Sequence, residues 1–513
     1  LMGNSVITQS NPIVGAGITL NGLGGGVHVT GVVTATSFSG DGSSLSGIDA
    51  APSTTAVASG SIANGATVAL NIDGTVSEVA AVNVSLGSTV QFESGAANEI
   101  SAAYDGNETI LVVYRDSSSS NIVTAVAGRV SGTTITFGST HTWSDTTNNG
   151  PEVIYDTANE KFVIAYDDDT SSSDGTFMVA TVSGTTVTTY TATVFQSGTA
   201  YVEGLEYDSV GGRIVVAYRD SSNDGRLRVA TVSGNSVGSI GSQYTLSEGN
   251  TVQYLHTGYD SDKGDVIIGL RYNNKYYFQY AQLASTGTVV TLTNRIEVDP
   301  GTTVENMKLA YHKISKKIIF SYQRDNVAYL RVGAYLHDDY AYLGNIMTMD
   351  LGKWEFNTMT ILPDGRIVFA HNDTTVNNGM YAIGTLKGDA IILTDDLAVF
   401  QPSEVVAFPI SIDTLGKAVI LYRDGGDSNK GKSRVLTPPG STSSSFIGFS
   451  NAAYTNGQTA TIQLVGSIDD AQSGLTTSKR YFVQTDGTLG LTPDDPNVFA
   501  GTALSGTKII VKG

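Results

Sequence analysis

The chain contains no cysteine, which excludes disulfides, thiolate nucleophiles and cysteine metal ligands. Charge is scarce at 15% of residues, and positive charge is scarcer, with 29 Lys and Arg against 48 Asp and Glu for a formal net charge of −19. The first basic residue is Arg115. A surface so poor in cations has nothing to set against a phosphate backbone, so nucleic acid is excluded as a partner. No run of 18 apolar residues occurs, and no basic stretch followed by an apolar one opens the sequence. The expectation is therefore neither a membrane span nor a signal peptide. His28, His141, His256, His312, His337 and His371 fall at unrelated positions, with no pair at metal-ligand spacing and no G-x-S-x-G elbow elsewhere. These absences predict no catalytic residue, no metal and no cofactor.

What the chain has instead is glycine, 58 of 513 residues, and a repeat. Between Ile100 and Arg423 an apolar strand, a turn and a second apolar strand recur seven times. The second strand stops each time at an aromatic or similar residue: Tyr114, Tyr166, Tyr218, Leu270, Tyr322, His371 and Tyr422. The first four intervals are 52 residues each and the last two 49 and 51, a regularity that belongs to repeat proteins. Runs such as Ile110-Leu111-Val112-Val113 and Ile214-Val215-Val216-Ala217 are apolar throughout, so these strands are covered on both faces. Each is preceded by a turn signal, as in Tyr104-Asp105-Gly106 or Tyr207-Asp208, and followed by a polar loop, a third strand, a turn such as Val182-Ser183-Gly184 and a Thr/Val-rich fourth strand. Four antiparallel strands in roughly 50 residues is the pattern of a propeller blade. The predicted fold is all-β, a seven-bladed β-propeller.

The seventh repeat runs from its third strand, near Arg434-Val435-Leu436, into Pro438-Pro439-Gly440 and so lacks a fourth strand. Before the first repeat, Ser88 to Gly95 aligns with the fourth-strand segment Ser139 to Asp145. The N-terminal segment is therefore expected to complete the last blade. The domain reading is a stalk or attachment segment over 1–50, a linker over 51–66, the propeller over 67–440 and a small all-β domain over 441–513.

The run Gly31-Val32-Val33-Thr34-Ala35-Thr36-Ser37-Phe38-Ser39-Gly40-Asp41-Gly42-Ser43-Ser44-Leu45-Ser46-Gly47-Ile48 resembles a unit of tail-fibre and other virion structural proteins of marine phages, cyanophages especially. A second stretch, from Ser473-Gly474-Leu475 through Tyr481-Phe482-Val483-Gln484-Thr485-Asp486-Gly487 to Lys508, resembles a C-terminal module of the same proteins. The resemblance implies a virion component outside the cell, a homotrimeric stalk, and contact with other virion proteins through the N-terminal segment. The plainer reading of the first stretch is a Gly/Ser linker.

In a propeller, the loops between second and third strands open on the same face as the blade-to-blade connections, and here both are long and polar. The candidate ligand-binding residues on that face are Arg115, Asp116, Asp168, Arg219, Asp220, Arg324, Asp325, Arg423 and Asp424, with Trp143 and Trp354 at connections between blades. Tyr272, Tyr276, Tyr277 and Tyr280 join them as aromatics that depart from the repeat. Glutamates at the start of the first strands suggest four couples: Glu99 with Arg115, Glu203 with Arg219, Glu305 with Arg324 and Glu404 with Arg423. Such a face suits a host-surface glycan, although a feature repeated in most blades also reads as architecture. Asp167-Asp168-Asp169 with Asp174, and Asp260 to Asp265, have carboxylates at short spacing, but neither follows a Ca²⁺-loop pattern, and solvated turns explain them. The functional expectation is a non-enzymatic phage fibre or appendage protein. The rivals are a polysaccharide-degrading tailspike and a secreted lectin or adhesin.

Overall fold

The computed structural model describes residues 52–512 except 72, 83, 147–149, 170–171, 248–250, 302, 326, 338–339, 350–353, 394–396, 407–409, 413–415, 439 and 495. The expected stalk segment 1–50 lies outside the described residues. The chain divides into two compact units, one of residues 78–446 and 482–498, the other of residues 1–77, 447–481 and 499–513.

The larger unit is the predicted propeller, with one four-stranded antiparallel blade for each repeat. Blade one runs through Val90–Tyr104, Thr109–Asp116 and Ile122–Ser131 to the outer pieces Thr134–Phe137 and His141–Thr146. First strands of successive blades lie side by side, and the last, Ile410–Ile412, lies beside Val90–Tyr104, so the order closes on itself. The closing strand is the expected one. Lys430–Thr437, the third strand of blade seven, pairs with Val90–Tyr104 in the register Ser433↔Val90, Lys432↔Gln91 and Gly431↔Glu93, and with Ser85–Leu86 through Leu436↔Leu86.

Burial explains the apolar runs. Ile110 to Tyr114 and Ile214 to Tyr218 are fully covered, because each second strand lies between the first and third strands of its own blade and has a neighbouring blade on either face. The stop residues hold the blades together. Tyr114 Oη donates to Glu93 Oε2 at 2.5 Å, Tyr218 Oη to Gln196 Oε1 at 3.0 Å and Tyr422 Oη to Gln401 Oε1 at 3.0 Å. In each case the acceptor sits on the fourth strand of the preceding blade, so a buried hydroxyl is satisfied across a seam. The residue before the acceptor is an aromatic that meets the same tyrosine: Phe92, Phe195 and Phe400 lie 5.5, 5.4 and 5.2 Å from Tyr114, Tyr218 and Tyr422.

The turn aspartates also bridge blades. Asp208 Oδ1 accepts the Val210 and Gly211 amides at 3.0 Å, which closes its own hairpin, and accepts the Tyr259 hydroxyl of the next blade at 2.8 Å. Across the same turn, at the start of the second strand, a cation reaches the next blade's outer turn. Arg213 donates to the Gly287 carbonyl at 3.1 Å, Lys317 to the Gly388 carbonyl at 2.6 Å and Lys417 to the Gly132 carbonyl at 2.8 Å. The last of these joins blade seven to blade one.

The smaller unit corrects the domain reading. Residues 51–66 are not a linker: Ser53–Val57 forms an edge strand on Thr459–Gln463, in register from Ser53↔Gln463 to Val57↔Thr459. Thr67–Leu70 belongs to the same sheet rather than to the propeller, which therefore begins near residue 78 and not at 67. The core of this sheet is Ala58, Ile62, Val68, Val76, Ala460 and Ile462, drawn from both ends of the chain. A Ser/Thr/Ala stretch reads as linker only when the partner strand, some 400 residues away, is out of view.

Candidate functional site

The residue one place beyond each stop turns away from the preceding blade, so that Arg271 reaches Glu305 and Arg423 reaches Asn98 on the blade that follows. The residues at that place are Arg115, Asp167, Arg219, Arg271, Gln323, Asn372 and Arg423. Side chains alternate along a strand, so the residue two places beyond turns the other way, toward the preceding blade. Two sequence positions thus separate two jobs.

The second position holds loops. Asp116 Oδ1 accepts from Ser118 N at 2.9 Å, Asp220 Oδ1 from Ser222 N at 2.9 Å, and Asp424 Oδ1 from Gly426 N at 3.0 Å and Ser403 Oγ at 2.6 Å. Asp220 and Asp424 are also bound by Arg226 at 2.7 Å and Lys432 at 2.7 Å. These carboxylates are engaged by their own loops. Arg324 belongs with them: it stands two places past Tyr322, its Nη1 meets Asp299 Oδ1 at 2.5 Å, and its guanidinium covers the Tyr329 ring at 4.6 Å. The expected Glu305–Arg324 couple is therefore not formed. Asp168 is half-buried, and Asp325 is exposed in its turn with a positive φ of 52°.

The first position forms the mouth. Arg115 Nη2 meets Glu99 Oε1 at 3.0 Å. Arg219 Nε donates to Glu203 Oε1 at 2.5 Å and Nη1 to Asn223 Oδ1 at 2.8 Å, and its guanidinium lies 5.3 Å from the Tyr201 ring centre. Arg271, absent from the sequence candidates, meets Glu305 Oε1 at 3.8 Å and Asn274 Oδ1 at 2.9 Å and lies 5.7 Å from the centre of the Tyr254 ring, which is 48% exposed. Arg423 Nη1 donates to Asn98 Oδ1, and Asn98 is the cross-strand partner of Arg115. Just below the mouth, the first strands of blades one, three, four, five and six each break register, as between Asn98 and Ser101 or Val202 and Gly204. Bulges of this kind re-aim side chains at sheet ends.

Deeper in the ring the lining is acidic. Ser101 Oγ donates to Glu152 Oε2 at 2.8 Å, Leu255 N to Glu203 Oε2 at 2.6 Å and Thr257 Oγ1 to Glu206 Oε1 at 3.0 Å, each bond joining adjacent blades. Burial raises all three carboxyls above their ordinary range, with Lys308 opposing the shift at Glu152 and Arg219 opposing it at Glu203, and Glu206 is pushed up to about 7. Burial also holds His256 well below the usual imidazole value, with Lys308 acting in the same direction. Among the described residues, no group of three or more His, Asp or Glu is placed to share a metal ion. Asp174 instead accepts the Gly198 amide at 2.6 Å, and Asp169 the Ser173 hydroxyl at 2.6 Å.

The aromatic candidates are repositioned. Trp143 is 9% exposed and meets Tyr166 at 6.1 Å, the seam position filled by Phe92, Phe195 and Phe400 elsewhere, so it is core and not a ligand contact. Tyr276 and Tyr280 are fully buried, while Tyr272 and Tyr277 pack half-buried against the core between blades three and four. The side chain of Trp354 lies outside the described residues.

No protein family and no curated protein matches the chain. Among solved structures it is similar to the WD40 domain of Toxoplasma gondii coronin (9% identity over 70% of this chain and 88% of that one, TM-score 0.46). It is also similar to the periplasmic gluconolactonase of Pseudomonas aeruginosa (9%, 69% and 98%, 0.44) and to a sialidase of Streptococcus pneumoniae (10%, 67% and 69%, 0.42). No helix among the described residues is long and apolar enough to cross a membrane.

Proposed function

We propose that the chain is a phage virion structural protein whose propeller is a non-enzymatic display scaffold, binding a host-surface glycan at the mouth of the ring. The observation that carries the glycan part is the row of four arginines, Arg115, Arg219, Arg271 and Arg423, at one structural position, with the exposed Tyr254 ring beside Arg271. Planar donors in a fixed fork and an amphipathic ring beside them suit hydroxyl-rich ligands. The virion assignment and the trimeric stalk rest on the two sequence resemblances. Binding of the full chain to host cells and purified host polysaccharide, with reducing ends assayed on the same samples, tests the reading. Binding without release is the expected result, and the absence of binding to either would remove it. The second reading, polysaccharide cleavage, is favoured by the raised carboxyls of Glu152, Glu203 and Glu206, since an acid of that kind can protonate a leaving group. Release of reducing ends that is lost in Glu203→Gln would establish it.

A further inference from the structure

The four mouth arginines are not equivalent. Arg115, Arg219 and Arg271 each have a carboxylate within salt-bridge distance, at Glu99, Glu203 and Glu305. Arg423 forms no such pair among the described residues; its bond goes to the neutral carboxamide of Asn98. That carboxamide is held in turn, because Asn98 Nδ2 donates to Ser117 Oγ, so the Arg423 fork is fixed in place by a neutral group, while Glu404 and Glu99 act on it without forming a salt bridge. Asn98 also lies opposite Arg115 in the ladder, which puts two guanidinium groups side by side at the seam where blade seven meets blade one. One carboxylate, Glu99, answers Arg115, and its Oε2 is buried without a hydrogen bond. Arg423 Nε, like Arg271 Nε, is a buried donor with no acceptor. A buried donor left unsatisfied is costly, and the groups that repay it best are bidentate anions.

We propose that Arg423 and Arg115 form a subsite for an anionic group, a carboxylate or sulfate borne on a saccharide, an inference that rests on the glycan-binding reading and names the ligand class. Both anions present two or three oxygens in the geometry an arginine fork accepts. Glu404 and Glu99, whose charges both act on Arg423, stand against such a ligand, and their presence limits the subsite to one small anionic group rather than a run of them.

The test uses the full chain with four polymers: polygalacturonate and its fully methyl-esterified form, and dextran sulfate and plain dextran. Binding to at least one acidic polymer should exceed binding to its neutral counterpart by at least tenfold, and the matched pairs distinguish carboxylate from sulfate. Arg423→Gln should remove most of that preference, while Arg423→Lys, which keeps the charge, should retain part of it. Arg129→Gln, altering an exposed arginine on the third strand of blade one that pairs with Glu108 in a turn, should leave it unchanged. Equal binding to acidic and neutral polymers, full retention in Arg423→Gln, or an equal loss in Arg129→Gln would overturn the subsite while leaving glycan binding intact. Failure to bind any of the four polymers or the host polysaccharide would overturn the glycan reading and this inference together.

Discussion

A single hydroxyl shows how closely the seams are specified. Tyr114 donates to Glu93, whose other oxygen accepts the Gly95 amide at 2.7 Å. Tyr114→Phe leaves a buried carboxylate oxygen without its donor, and the expected loss is about 1–3 kcal/mol. Tyr422→Phe, facing the neutral Gln401, should cost less. Urea unfolding of both variants checks the order, and an equal or reversed pair of losses would mean that the charge on Glu93 is not what the seam relies on. Glu206 gives a second residue-level expectation. Its carboxyl sits near 4.5 when unfolded and at about 7 in the ring, chiefly through burial, with the Thr257 hydrogen bond opposing and Glu152 adding to the rise. The folded value is the higher one, so the stability contributed by this group is complete below about 4.5 and is lost as pH rises through 7. The melting temperature of wild type minus that of Glu206→Gln should fall across that window; a difference independent of pH would show that Glu206 does not titrate there. The mouth was only partly legible at this scale. Arg115, Arg219 and Arg423 are visible in the sequence because an Arg-Asp pair follows the stop. Arg324 was misplaced for the same reason, since Gln323 intervenes and one residue reverses the face. Arg271 follows a leucine stop and is followed by tyrosine, so no pair announced it.

At the level of elements, the fourth strand of three blades carries a pattern that the repeat period alone does not reveal: an aromatic residue, then an acceptor, then about twenty residues to the next stop. Making room for the aromatic falls to a glycine on the facing third strand. A Cβ on Gly431 would lie 2.4 Å from the Phe92 ring, whereas on Gly225 it would lie 3.3 Å from Leu246. Gly431→Ala should therefore destabilise the closing strand by about 1–3 kcal/mol, the usual cost of overpacking, and Gly225→Ala by less. Hydrogen exchange across Val90–Tyr104 should rise in the first variant and not in the second; equal protection in both would rule out the clash as the deciding contact. The blades and their closure were readable because apolar runs recur at a fixed interval and the last repeat is one strand short. The strand Ser53–Val57 was not readable, because its residues are exposed or half-buried and its pairing is remote, so neither periodicity nor burial marks it.

For the molecule as a whole, the net charge of −19 sets long-range repulsion against the short-range attraction of the arginine mouth. Salt screens the first over a Debye length of about 8 Å at physiological ionic strength and leaves close, partly buried contacts less affected. Association of an acidic polymer should therefore quicken as salt rises from 10 to about 150 mM, the reverse of a basic protein's behaviour. Stopped-flow or surface-binding kinetics would show it, and a rate that only falls with salt would place the encounter at an electropositive surface instead. Closure by the N-terminal strand has a mechanical side. Chain arriving from residue 78 enters the ring along the axis of the strand that pairs with Lys430–Thr437. Tension on that part of the chain loads those hydrogen bonds in shear, all at once, instead of peeling them singly from an end. The ring therefore opens at this seam only when the whole ladder between Lys430–Thr437 and its closing strand gives way together.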